Sequence, residues 1–231
     1  MNIKHTTFAV WIVYLLCAVE LKAQSVYQFG ALPSVNLNNK LKNNWSLNSK
    51  IESRQLLQAG EFGGPVVEKY NYLLTDVSLI AAKKVGLNSR IAGGYLARFD
   101  QGEVIHRFIQ QYIIVQRMAG LRLAHRFLTD QTFSNNEAPD FRVRYRITSE
   151  IPLNGESVDP GEFYLKLNNE YVNSFQGGIY DLEIRLVPLL GYDLSANKLE
   201  FGLDYRMNSF LQTSAQHNFW MSLNWFIDIG D

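Results

Sequence analysis

The chain has 231 residues, 22 basic and 22 acidic side chains, 47% hydrophobic residues and 13% aromatics. Balanced charge gives no electrostatic case for a nucleic-acid partner, which wants a basic excess. The single cysteine, Cys17, falls in an N-terminal leader, so disulfides and thiol chemistry are excluded from the rest of the chain.

The leader reads as a secretory signal peptide over 1–23. Lys4 and His5 open it, Phe8 to Val19 is almost wholly apolar, and Leu21-Lys22-Ala23 precedes Gln24. A spanning helix needs about 20 apolar residues, and Glu20 and Lys22 interrupt this run. Cleavage after Ala23 leaves 208 residues, with 20 basic against 21 acidic side chains. Lipidation at Cys17 is disfavoured because the bulky Leu16 precedes it. No later run is long and apolar enough for a transmembrane helix, so a membrane location must rest on strands.

Beyond the leader, helical periodicity is poor and period-two alternation is frequent. Strands are predicted at 26–35, 44–55, 70–82, 87–99, 104–117, 120–132, 141–152, 162–173, 179–192, 198–209 and 217–228. Most exceed the soluble average of about 5–6 residues and suit a tilted strand crossing a membrane, which needs about 9–11. Segment 24–43, interrupted by Pro33, reads as a plug, a cap or an extra strand, with the barrel proper at 44–231. Bacterial single-chain barrels use even strand numbers, which leaves ten or twelve.

Connections alternate in length along the chain. Short ones fall at 83–86, 118–119 and 193–197, and longer ones at 56–69, 133–140, 173–178 and 210–216. Short periplasmic turns and long outer loops would be the outer-membrane arrangement, which the long stretch 153–161 breaks.

The clearest alternation is Phe141-Arg142-Val143-Arg144-Tyr145-Arg146-Ile147, with an apolar face and a cationic face. In a soluble barrel the apolar face would form the core. In a membrane barrel it would meet lipid, and the arginines would line the lumen. Strand length, aromatic content and the strand-end positions of Trp45, Tyr180, Tyr192 and Trp225 favour the second. The lumen face would then carry a network of Arg142, Arg144, Arg146, Glu150, Lys166, Glu170, Asp181, Glu183, Arg185, Asp204 and Arg206, joined by Lys198 and Glu200. A barrel this small is near the size that side chains fill. The aromatic final strand 218–227 is the kind that outer-membrane barrels present to the barrel-insertion machinery.

No phosphate loop, dinucleotide fingerprint, zinc spacing or nucleophile elbow is present, and no cofactor is implied. Gly60 to Pro65 reads as a flexible outer loop. His106 and His217 fall near predicted outer strand ends, with Ser209 and Ser214 close to His217 in sequence. A rim His–Ser pair would suit an acyl hydrolase, provided the base lies within hydrogen-bond reach of the serine. His125 shares parity with Leu123 and Phe127, which points to a buried or interfacial position. The Asp181/Glu183 pair shares one strand face and could serve acid–base chemistry or a salt-bridge network. Asp130 and Asp140 flank a loop and could meet a divalent ion.

The stretches 106–111, 117–127, 141–152, 163–175 and 199–210, with the ending His217-Asn218-Phe219-Trp220, resemble a family of short exported proteins. The run Arg-Tyr-Arg-Ile-Thr-Ser-Glu-Ile-Pro-Leu-Asn-Gly at 144–155 is the most distinctive part. The family carries a domain of unknown function and is regarded as outer-membrane β-barrels of Gram-negative bacteria. The resemblance implies fold and location, and transfers no catalytic residue.

The expectation is therefore an all-β chain folded as an antiparallel up-and-down transmembrane β-barrel of ten to twelve strands. It would sit in outer-membrane lipid, with a charged, largely filled lumen and a structural or narrow-path transport role. The alternatives are an outer-membrane lipid-modifying hydrolase using His106 or His217 with Ser214, and a soluble lipocalin-like periplasmic binder of apolar ligands.

Overall fold

A computed structural model describes residues 25–229 apart from Asn136 and Thr213, so the leader and its cleavage site lie outside the described residues. Long alternating segments with no helical period can bury backbone polar groups only by pairing with each other. Here eleven strands do so in one sheet closed on itself. They are β1 (Val26–Lys40), β2 (Trp45–Glu61), β3 (Val67–Lys84), β4 (Ser89–Asp100), β5 (Glu103–Met118), β6 (Leu121–Phe133), β7 (Asp140–Pro152), β8 (Phe163–Gln176), β9 (Ile179–Asp193), β10 (Asn197–Asn208) and β11 (Gln216–Ile229). Each overlaps one predicted strand.

Neighbours in sequence pair antiparallel, and the barrel closes where β1 meets β11 in parallel, from Val26 opposite Gln216 to Asn39 opposite Ile229. This corrects the even count. An odd number of up-and-down strands leaves first and last running the same way, and a parallel seam accommodates that. Segment 24–43 therefore supplies a full strand rather than a plug or a cap. Pro33 removes only local pairing: β1 skips Leu32 and Pro33 in its register with β2, while β11 stays in register through Leu223.

Call the rim where β1 and β11 begin the upper rim, and the opposite one the lower rim. The expected contrast in loop length does not hold. Strands run through most of 56–69 and 173–178, and at the latter only Gly177 and Gly178 turn the chain. Their φ angles of 57° and 81° are those of a two-residue hairpin turn that favours glycine. The longest connection, 153–162, lies at the lower rim among short ones.

Alternation decides the two faces. Val35, Ile51, Val77, Phe108, Phe127, Val143, Leu167, Leu186, Phe201 and Leu223 all point outward and are exposed. Nearly all the charged strand residues point inward, while a few uncharged polar ones, such as Gln110, Thr129 and Gln131, lie on the outer face. A small apolar core, Leu32, Leu56 and Trp220 with Ala59 and Leu73 against it, packs inside the wall of β1, β2, β3 and β11.

Candidate functional site: the charged lumen

Register builds the lumen. Arg126, Arg146, Glu170, Arg185 and Arg206 lie directly opposite one another in turn across β6 to β10. The row holds four arginines and one carboxylate. Glu170 is 1% exposed and meets Arg126 and Arg146 at 2.8 Å, Arg144 at 3.0 Å and Arg185 at 3.5 Å. One strand-step away, buried Asp130 accepts from Arg142 at 2.5 Å, with Arg144 at 3.4 Å and Arg107 at 3.7 Å. Arg144 touches both carboxylates and joins the two clusters. Burying a charge costs several kcal/mol unless it is paired, so each carboxylate is stable here only because several guanidinium groups surround it.

Other pairs are bidentate. Asp76 takes both Nε and Nη2 of Arg98 at 2.8 Å, Glu183 takes Arg185 at 2.7 and 2.9 Å, and Asp204 takes Arg206 twice at 2.8 Å. Two parallel N–H···O bonds fix geometry as well as charge. Arg122 reaches Glu150 at 3.1 Å nearer the lower rim.

Tyr164 lines the lumen toward the lower rim. Its ring lies over Gly191, its direct cross-strand partner, where a Cβ would come within 2.1 Å of the ring. Only glycine leaves room for the ring to lie flat against the wall. Tyr164 donates its hydroxyl proton to Glu200 at 2.8 Å, and Lys166 donates to the same carboxylate oxygen at 2.7 Å. The Lys166 ammonium also lies 5.5 Å from the centre of the Phe226 ring. Lys166, Glu200, Phe226 and Asn48 line two adjoining cavities, a central one of about 580 Å³ and one of about 670 Å³ toward the lower rim. The lumen is thus hollow both at its centre and toward the lower rim.

All eleven residues of the expected network face inward. Ten are ion-paired as above or through Lys166–Glu200; Asp181 instead accepts the Ser209 backbone N–H at 3.3 Å. Sequence reasoning missed Lys50, Glu52, Arg54, Asp76, Arg98, Arg107, Arg122 and Arg126, and it misread Asp130. The available signal was position between apolar residues of opposite parity, as in His106-Arg107-Phe108 and His125-Arg126-Phe127. Asp130 sits inside an arginine cluster rather than beside a loop ion. Asp140 is engaged by Ser174 at 2.5 Å and Arg142 at 3.6 Å. Among the described residues no group of three His, Cys, Asp or Glu is disposed to hold a metal ion.

His106, His125 and His217 all have outward parity and repeat one arrangement. Each Nδ1 is hydrogen-bonded to a tyrosine hydroxyl on the adjacent strand: His106 to Tyr95 at 2.5 Å, His125 to Tyr145 at 2.9 Å and His217 to Tyr205 at 2.8 Å. Each pair of rings is stacked, at 6.0, 6.2 and 6.0 Å. Each tyrosine lies directly opposite the phenylalanine two residues after the histidine, Phe108, Phe127 or Phe219. His106 and His217 sit near the upper rim, His125 near the lower. In all three the histidine is nearer the rim and the phenylalanine deeper. Phe62 covers His217 edge-on at 5.2 Å, leaving it 5% exposed. Ser214 is exposed in the β10–β11 connection, and no hydrogen bond joins a histidine side chain to a serine among the described residues.

No curated protein and no solved structure matches the chain. Residues 29–219, from β1 to the start of β11, match a family described as protein of unknown function (DUF2490). The chain belongs to the DUF2490 family, and its β-barrel with a charged interior is that family's domain as this sequence builds it.

Proposed function

We propose that the protein is an outer-membrane β-barrel of a Gram-negative bacterium, exported through a cleaved signal peptide. Its charged lumen, with the Lys166–Glu200 pair between two cavities, gives it a narrow-path transport or structural role. The observation that carries this reading is the pairing of an outward apolar belt with His–Tyr–Phe units at both rims.

An aromatic body with a polar tip is most stable where hydrocarbon meets water, the tip toward the headgroups. Each unit is oriented that way, histidine rimward and phenylalanine deep. His125 of β6 lies opposite Ile114, eight residues along β5 from His106. That separation is about 26 Å of strand, or about 20 Å of height at a tilt near 40°, close to the apolar band of about 25 Å on outer-membrane barrels. An outer face in water would gain nothing from this layering. An inward apolar pocket, which a soluble binder of apolar ligands needs, is replaced here by arginines and carboxylates. Partners on this reading are outer-membrane lipid and the barrel-insertion machinery, the latter through the aromatic β11.

Fractionation tests it, followed by comparison of boiled and unboiled samples on a denaturing gel. Recovery in the outer membrane with a heat-dependent shift in mobility supports the reading. Recovery in the soluble periplasm overturns it.

A further inference from the structure

We propose that the central cavity binds a multiply charged oxyanion, with Arg54 as the side chain held free for it. This adds a ligand class to the proposed function, and it rests on the barrel interior alone, whether the outer face meets lipid or water.

The cavity of about 580 Å³ is lined by eleven basic and five acidic side chains. Asp130 and Glu170, behind the arginines, reduce the excess without removing it: four positive charges remain uncompensated. Donor capacity is also unmet. A guanidinium carries five N–H groups, and two hub carboxylates are shared among six arginines. The buried Nε atoms of Arg54, Arg126, Arg144 and Arg146 have no hydrogen-bond partner among the described residues. A buried unpartnered donor is costly, and these four, three on the β6–β7 wall and Arg54 across the lumen on β2, ask for an acceptor.

Arg54 differs from the rest. Arg98, Arg185 and Arg206 are each closed by a bidentate carboxylate. Arg54 makes no ion pair or side-chain hydrogen bond with any described residue. Its guanidinium instead lies 5.2 Å from the centre of the Trp220 ring. Stacking on an indole engages the flat face of the guanidinium and uses none of its N–H donors, a disposition that suits recognition of phosphate or carboxylate. The backbone is irregular at the same place: the β2–β3 register shifts between Arg54 and Gln55 and again between Leu56 and Gln58. Such bulges re-aim a side chain relative to its strand.

The test is isothermal titration of the purified full chain, in detergent or in buffer as its solubility dictates, with inorganic pyrophosphate and with citrate. Saturable binding is expected, weakened at least tenfold in Arg54→Gln and weakened strongly by added salt. The tighter of the two probes assigns the ligand to phosphates or to polycarboxylates. Arg122→Gln, which lies outside the central cavity, should bind as the unaltered protein does. Protection of Arg54 from phenylglyoxal by the bound probe, mapped on the unaltered protein, gives the same answer without a variant. No saturable binding of either probe, equal affinity in Arg54→Gln, or no protection of Arg54 overturns the proposal.

Discussion

Arg126 and Arg146 lie directly opposite one another across β6 and β7, two like charges at one of the closest spacings a sheet offers. Directly opposed like charges destabilise a sheet unless a counter-charge intervenes. Glu170 is that counter-charge, accepting from both at 2.8 Å while 1% exposed. The row is stable as a unit and not as a set of separate pairs.

Removing the hub charge should therefore cost more than removing a peripheral one. Glu170→Gln leaves four arginines facing each other and is expected to destabilise by on the order of 3 kcal/mol. Glu150→Gln breaks one partly exposed pair, with Arg122 at 42% side-chain exposure, and should cost less than about 1 kcal/mol. Urea midpoints for loss of the folded band on an unheated gel would measure the difference. Equal midpoints would mean that the row is not the stabilising unit.

Gly191→Ala should close the space that the Tyr164 ring occupies. The new methyl would overlap the ring, swing it from the wall and break its bond to Glu200. A loss of about 1–3 kcal/mol is expected. Pairing it with Tyr164→Ala should remove most of the penalty, because the clash needs both groups. A double variant as unstable as the sum of the two would refute the steric account.

Leu186 points outward midway along β9 and is 41% exposed. In lipid, Leu186→Arg should destabilise by about 2–4 kcal/mol and reduce assembly into the membrane. On a water-facing surface the same change would be near neutral. The variant's yield in the outer-membrane fraction, set beside Leu194→Arg in the β9–β10 turn, separates these cases.

The histidines act through their tyrosines on this structure. Tyr95→Phe, Tyr145→Phe and Tyr205→Phe each remove one hydrogen bond and should each cost about 0.5–1.5 kcal/mol. His106→Ala and His217→Ala should leave the lipid composition of the cells unchanged by mass spectrometry. A changed acyl pattern in either would point instead to a hydrolase working at the rim.

Alternation in the sequence carries the strands and their two faces, because the side-chain period of two is a local property of extended backbone. That is why Phe141 to Ile147 alone indicates which residues share the arginine face, and why each of the eleven predicted strands meets an observed one. Parity failed as a global argument. It demanded an even count, whereas the backbone groups of β1 and β11 pair in parallel along their length, so an odd count also leaves no open edge.

The sequence by itself determined the all-β class, the approximate strand positions and part of the charged face, notably its β7 to β10 members, since each depends only on local periodicity and composition. Tertiary structure alone decided the rest. Register placed Glu170 among four arginines from three neighbouring strands, set Tyr164 over Gly191, and left Arg54 stacked on Trp220 without a carboxylate. It also aligned His106, His125 and His217, far apart in the chain, into one repeated unit at the two rims. Which residue faces which across strands is fixed by the closed pairing of the whole sheet, and no single strand contains that information.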